Sequence, residues 1–289
     1  MGLSFSKVIS LMVLLWHVKN LCASDYFAVI IIYMKIAILG AGAFGTALGG
    51  VLADKGFDID YYDSRVEKEK LSDVLYDARM MVLAVPSSVV PHILPHLPTS
   101  KPMIAATKGI LSSKAFDGFR DVMVLSGPGF ADDIKKRKVT KLTATDYRVI
   151  EMFETDYLTF DYTDDTNGVL MCGALKNVYA IYAGLLGLER GTKIWNEYIK
   201  DVLEEMRDVL TQNGGDSNTV ELECGVGDLK LTCGLPSRNY EYGLMFRQNP
   251  NAKPTKTVEG LSAIRRIKRC EIEVPDSAIK LREIVKLCN

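Results

Sequence analysis

A lysine and an asparagine stand in the middle of an otherwise apolar run, Gly173-Ala174-Leu175-Lys176-Asn177-Val178-Tyr179-Ala180. An ammonium taken out of water is costly, so such a lysine is paired, snorkels its charge to the surface, or does chemistry. Desolvation lowers its proton affinity toward the range useful for proton transfer. Further along, Gly225-Val226-Gly227-Asp228-Leu229-Lys230-Leu231-Thr232-Cys233 and Ser237-Arg238-Asn239 supply a carboxylate, a hydroxyl, a guanidinium and an amide. A carboxylate such as Asp228, near a buried lysine, would hold it in place and set its proton affinity. Arg238 beside Asn239 suits a phosphate, because the planar guanidinium matches two oxygens. The same residues would also serve a surface loop with a helix cap at Asp228 or Ser237.

Groups so far apart in sequence need a frame, and the first half of the chain supplies one. The apolar run Met34-Lys35-Ile36-Ala37-Ile38-Leu39 breaks into Gly40-Ala41-Gly42-Ala43-Phe44-Gly45 and resumes as a helical pattern through Ala53. A strand that turns through glycines into a helix aims unpaired backbone N–H groups and the helix partial charge at one point, a site for a pyrophosphate. Gly40 permits the turn, Gly42 the approach of phosphates, and Gly45 close packing of helix on strand. Asp58-Ile59-Asp60-Tyr61-Tyr62-Asp63 reads as the second strand. Asp63, at its end, is placed to take the adenosine ribose hydroxyls of a dinucleotide. A carboxylate there repels a 2′-phosphate and favours NAD, while Arg65 partly reverses that preference and leaves NADP open.

Further short strands are expected at Met80–Val85, Met103–Thr107 and Val122–Leu125, ending in Pro86-Ser87-Ser88, Lys108-Gly109 and Ser126-Gly127-Pro128-Gly129-Phe130-Ala131. Apolar strands alternating with helices or loops predict an open, mostly parallel sheet, with ligands beyond its carboxyl ends. Pro86, Lys108 and Ala131 all fall there. From about Asn167 the pattern changes to long helices, near Gly168–Leu188 and Trp195–Leu210. The expectation is therefore an α/β protein, with a Rossmann-like dinucleotide domain at 34–165 and a mainly helical substrate domain at 166–289.

Taken together, these motifs resemble the soluble, NAD(P)-dependent glycerol-3-phosphate dehydrogenase family. The resemblance is carried by Gly40 to Leu48, Ala84-Val85-Pro86-Ser87, Thr107-Lys108-Gly109, Leu125 to Ala131, Cys172 to Ala180, Gly227-Asp228-Leu229 with Thr232-Cys233, and Ser237-Arg238-Asn239. It implies reversible hydride transfer between NAD(P)H and dihydroxyacetone phosphate, giving sn-glycerol 3-phosphate for phospholipid synthesis. By position, Lys176 is the proton donor and acceptor at the substrate C2 oxygen, and Lys108 the cation that polarises it. Asn177, Asp228 and Thr232 complete the substrate pocket, and Arg238 with Asn239 takes the phosphate. Gly40, Gly42, Ala43, Phe44, Gly45, Asp63, Pro86 and Ala131 line the cofactor, which Arg238 and Glu259 also reach. Several departures stand out. The segment from Asp63 to Val74 is short, implying loss of an early strand and helix. Leu170 replaces a customary Glu, Lys200-Asp201-Val202 replaces Thr-Arg-Gly, and the region after Gly260 is abbreviated. Two alternatives are a dehydrogenase for another phosphorylated hydroxy compound, and a degenerate dinucleotide-binding sensor. Two retained lysines argue against the sensor.

Composition agrees with a globular enzyme. The 289 residues are 48% hydrophobic and 25% charged, with a net charge of −1, which gives no electrostatic case for nucleic acid or an anionic membrane. The six cysteines are scattered without a C-x-x-C, and His92 and His96 flank prolines without further ligands at metal spacing, so no metal is expected. Free thiols and the cofactor pool point to the cytoplasm, without stable membrane insertion and with a homodimer as the conceivable assembly. Residues 1–33 combine Lys7 with an apolar run and Cys22-Ala23-Ser24, a loose likeness to an export signal. Met34 directly precedes the first strand, so the preferred reading of 1–33 is an upstream extension without a folded role.

Overall fold

A computed structural model describes residues 34–65 and 70–288. The two readings of residues 1–33 lie outside the described residues. Seven strands form one sheet in the order β2-β1-β3-β4-β5-β6-β7. They are β1 Lys35–Leu39, β2 Asp58–Tyr62, β3 Met80–Leu83, β4 Met103–Ala105, β5 Val122–Ser126, β6 Thr140–Ala144 and β7 Leu158–Tyr162. Every neighbouring pair is parallel except β5 and β6. Between β2 and β3 the described residues hold one short helix, α2 (Leu71–Tyr76), and β2 is the edge of the sheet. That arrangement agrees with the short Asp63–Val74 segment noted in the sequence.

The period-2 alternation of the strands divides the core in two. Ile36, Ile38, Val82, Ile104 and Leu125 face one way, against Leu48 and Leu52 of α1 (Ala43–Asp54) and Val149 and Phe153 of α5 (Tyr147–Phe153). Ala37, Leu39, Met81, Leu83, Met103, Ala105 and Val124 face the other way and join a core that continues into the helical part of the chain. Two short helices, α3 (Val90–Ile93) and α4 (Ala131–Lys135), complete the sheet region.

The helical part is built around α6, Thr166–Leu186, which is buried continuously from Gly168 to Gly184. Its start is fixed by Asp165, whose carboxylate accepts from the Gly168 N–H at 2.8 Å, and its end by Gly187 at φ 69°. By length and composition alone it could cross a membrane, but 89% of its most apolar 18-residue stretch is buried inside the protein. Around it lie α7 (Lys193–Gln212), α8 (Asp228–Thr232), α9 (Arg238–Gln248), α10 (Glu259–Lys268) and α11 (Ile279–Leu287). Helix α9 packs backbone against backbone on α6. A Cβ at Gly184 would collide with the Tyr240 carbonyl, and one at Gly243 with the Ile181 carbonyl. This approach holds α9 along the C-terminal turns of α6, and the Asn239–Asn177 bond continues the contact back to the residues beside Lys176.

Candidate active site

The parallel strands bring their carboxyl ends to one side of the sheet. The chain leaves β1 at Gly40, β3 toward Pro86, β4 toward Lys108 and β5 toward Ala131. The order β2-β1-β3 places a reversal between β1 and β3, where open α/β sheets hold ligands. At that crevice Gly40 has φ +110°, and a Cβ there would lie 2.6 Å from the Ala84 carbonyl oxygen. Gly42 caps α1, and a Cβ on it would meet no protein atom within 4 Å. The loop is thus packed on its sheet side and open on its outer side, with the N-terminus of a 12-residue helix behind it. Asp63 follows β2 directly. Its carboxylate is gripped by Arg65, through Nε at 2.8 Å and Nη2 at 2.5 Å. That guanidinium, supported by the Ala41 N–H, holds the Asp63 carboxyl down at about 2. An anion at the end of β2, touching the glycine loop, fits the ribose end of a dinucleotide.

On the helical side, α6 carries Lys176 and Asn177, both buried. Asp228 opens α8 and is only 1% exposed. Lys176 Nζ donates to Asp228 Oδ1 at 2.5 Å and to Thr232 Oγ1 at 3.0 Å. From the sheet side, Lys108 Nζ donates to the other carboxylate oxygen, Oδ2, at 3.1 Å and to the Gly127 carbonyl at 2.8 Å. The Phe44 ring of the glycine loop lies beneath the same ammonium, 5.7 Å from ring centroid to Nζ. Two lysines far apart in sequence thus share one buried carboxylate. Burial outweighs the attraction of Asp228 and, reinforced by the nearby Lys108 charge, pushes the Lys176 ammonium down to about 7.

The remaining expected residues surround this centre. Arg238 is the first residue of α9 and is exposed. Asn239 is buried, and both ends of its amide are engaged within the protein. Its Nδ2 donates to Asn177 Oδ1 at 2.8 Å, and its Oδ1 accepts from the Gly260 N–H at 2.9 Å. Asn177 in turn donates to the Gly173 carbonyl at 3.0 Å. Glu259, at the start of α10, accepts from Ser87 Oγ at 2.5 Å. Pro86 and Ala43 are exposed, whereas Phe44 and Ala131 are half-buried at the carboxyl edge. His92 and His96 are exposed, and among the described residues no group of three or more His, Cys, Asp or Glu side chains could hold a metal ion.

Residues 165–283 match the family described as NAD-dependent glycerol-3-phosphate dehydrogenase C-terminus. A glycerol-3-phosphate dehydrogenase [NAD(P)+] of Leptospira biflexa is 34% identical over 270 residues, covering 76% of this chain and 81% of the relative. The chain belongs to the NAD(P)-dependent glycerol-3-phosphate dehydrogenase family. The glycerol-3-phosphate dehydrogenase [NAD(P)+] of Citrifermentans bemidjiense is 30% identical over 302 residues, covering 83% of this chain and 90% of the relative. The glycerol-3-phosphate dehydrogenase fold is shared too. The crystal structure of the Coxiella burnetii enzyme superposes with a TM-score of 0.72 at 24% identity, over 88% of this chain and 98% of that one. The Plasmodium falciparum enzyme superposes with a TM-score of 0.72 at 18% identity, over 88% and 91%.

Sequence reasoning passed over two features of this candidate site. Ser87 is read as part of a turn and of a family block but given no role, yet it is buried and bound to Glu259. The Gly127 carbonyl that anchors Lys108 belongs to a loop singled out for its glycines. A serine directly after a strand-ending proline, at the carboxyl edge of the sheet, is the only signal for the first; the second has none.

Proposed function

We infer that this protein interconverts dihydroxyacetone phosphate and sn-glycerol 3-phosphate with a nicotinamide dinucleotide. The observation that carries the reading is the sharing of Asp228 by Lys108 and Lys176. With both amines protonated, two cations face one anion. The centre therefore has one positive charge in excess, suited to an oxyanion that develops during reaction in a site with little water. The nicotinamide, when bound, supplies or takes up the hydride. Lys108 polarises the C2 carbonyl, and Lys176 gives its proton to that oxygen in reduction and takes it back in oxidation. Asp228 holds both nitrogens on one side of the substrate, and Thr232 takes a second N–H of Lys176, leaving the third for the substrate oxygen. In this reading residues 34–165 hold the dinucleotide and 166–289 the substrate, in a cytoplasmic protein drawing on the soluble cofactor pool, with a homodimer as its assembly.

The cofactor contacts in this proposal are Gly40, Gly42, Ala43, Phe44 and Gly45 at the pyrophosphate, Asp63 at the ribose, and Pro86, Ala131 and Glu259 toward the nicotinamide. Arg238 heads α9, so its guanidinium stands at the N-terminus of an 11-residue helix and supplies the anion site for the substrate phosphate. Asn239 supports that site by tying α9 to Asn177. Arg238→Ala is expected to raise the KM for dihydroxyacetone phosphate by about 30-fold or more, the loss of a charge-assisted hydrogen bond of roughly 2–3 kcal/mol. NADH affinity is expected to stay within about twofold. A parallel loss of NADH binding in a fluorescence titration would place Arg238 on the cofactor instead.

The Asp63–Arg65 pair makes NAD the preferred cofactor, because the anion is at the ribose and the cation is already engaged. Asp63→Ser removes the repulsion and frees Arg65 for a 2′-phosphate. The ratio of kcat/KM for NADPH over NADH is expected to rise roughly tenfold or more, because a repulsion disappears and a charge-assisted hydrogen bond to the 2′-phosphate forms. Equal use of both cofactors by the unaltered protein would remove the basis for this assignment. The function itself is tested by following NADH oxidation by the full chain with dihydroxyacetone phosphate. Absence of turnover with the phosphorylated ketone, alongside intact NADH binding, would favour the sensor.

A further inference from the structure

The polar side of α10 lies against the turns on the sheet side of the site. Glu259, Ser262 and Arg266 are spaced three and four residues apart and so share one side of the helix. Ser87, 1% exposed in the turn after β3, donates from Oγ to Glu259 Oε2 at 2.5 Å and lies 3.0 Å from Ser262 Oγ. Arg266, one turn further on, donates from Nη1 to the Gly109 carbonyl at 3.3 Å. Its guanidinium is oriented by Glu271, with Nε 3.4 Å from Oε2. Gly109 is the residue after Lys108. At φ +95°, a Cβ on it would lie 2.9 Å from Ser87 Oγ and 3.0 Å from Glu259 Oε2. The turn that carries Lys108 therefore rests directly on the Ser87–Glu259 pair and is tied down by Arg266.

We propose that α10 braces the Lys108–Gly109 turn, with Arg266 as a positioning residue that sets where the Lys108 ammonium lies. The inference rests on the reading of Lys108 as the cation at the substrate oxygen. At its far end Lys108 is fixed by Gly127 and Asp228, both of which the substrate oxygen must compete with or complement. At its near end the backbone is fixed by Arg266. A side chain held at both ends keeps its charge in place when the substrate arrives, and small displacements of such groups are costly to rate. Glu271 acts through Arg266, as a partner that aims the guanidinium.

The test compares Arg266→Met, which keeps the aliphatic stem, with Arg266→Lys, which restores a donor. For each full-length variant, kcat and both KM values are measured, together with hydrogen–deuterium exchange of the Thr107–Leu111 segment. Arg266→Met is expected to lower kcat about tenfold, with the KM for NADH within about twofold and faster exchange confined to the Thr107–Leu111 segment. Arg266→Lys is expected to recover most of the rate. Unchanged kcat with unchanged exchange in Arg266→Met overturns the proposal. So does a loss that is equal in both variants and accompanied by faster exchange along all of α10, which would make Arg266 a support of the helix alone. An unaltered protein inactive on dihydroxyacetone phosphate defeats the dehydrogenase reading. The exchange measurement then still decides the brace, with slow exchange of Thr107–Leu111 in Arg266→Met counting against it.

Discussion

Lys176→Met is expected to lower the rate of dihydroxyacetone phosphate reduction by about 10²–10⁴-fold, the range for loss of a positioned general acid. The substitution keeps an unbranched apolar stem, one atom shorter than lysine, in a fully packed stretch of α6, so most of the core volume is conserved. Asp228 keeps its second partner, Lys108, and is not left as an unpaired buried anion. NADH binding is expected to persist, because none of the residues assigned to the dinucleotide lies on α6. The unaltered protein also has a pH signature set by Lys176, whose ammonium is held at about 7. Reduction needs the protonated amine, so its rate falls as pH rises through about 7. Oxidation of glycerol 3-phosphate needs the free amine, so its rate falls as pH drops through the same value. Initial rates in both directions across this range, with and without the substitution, check both statements. A variant that keeps its rate and both pH limbs would remove Lys176 from the chemistry.

Asp228→Asn is expected to damage both activity and stability. The amide is nearly isosteric but uncharged, so Lys108 and Lys176 would face each other without the anion between them. Removing one partner of a buried ion pair costs up to about 3–5 kcal/mol where the remaining charge stays in a poorly solvating place, and less where that group sheds its proton. The attraction of Asp228 is the largest influence favouring the charged form of Lys176. Its loss moves the Lys176 titration further toward acid, and at neutral pH little ammonium remains to protonate the substrate oxygen. Reduction should then fall at least about tenfold, with its limb displaced to lower pH and a lower melting temperature in a thermal scan. Wild-type melting together with an unmoved limb would show that Asp228 does not couple the two lysines.

The parts of this arrangement differ in how legible they are in the sequence. Strands β1, β3, β4 and β5 announce themselves as continuous apolar runs, because both of their faces are covered. Strands β6 and β7 escape the same reading. Thr140-Lys141-Leu142-Thr143-Ala144 and Leu158-Thr159-Phe160-Asp161-Tyr162 mix polar and apolar residues, and Lys141 pairs with Asp161 on the outside at 2.5 Å. The antiparallel pairing of β5 with β6 depends on contacts that no local pattern encodes. In the site, the residue types of Lys108, Lys176, Asp228 and Arg238 are visible from composition and context. Their convergence is not: Lys108 and Asp228 are 120 positions apart, and Ser87 and Glu259 are 172 apart. Asn239 illustrates the difference. As a sequence motif it reads as a phosphate ligand, whereas its buried amide ties α9 to α6 and to the start of α10.

The burial of α6 has a consequence for how the polypeptide is made. This segment is synthesised before the five helices that enclose it, so a nascent chain carries 21 largely apolar residues, Thr166–Leu186, with only the sheet made to cover one side of them. Until α9 and α11 emerge from the ribosome, that stretch is a sticky surface and a decoy for membrane-insertion machinery. Yield in a heterologous host should accordingly respond to slower translation and to chaperone supply more than to changes at the protein's exterior.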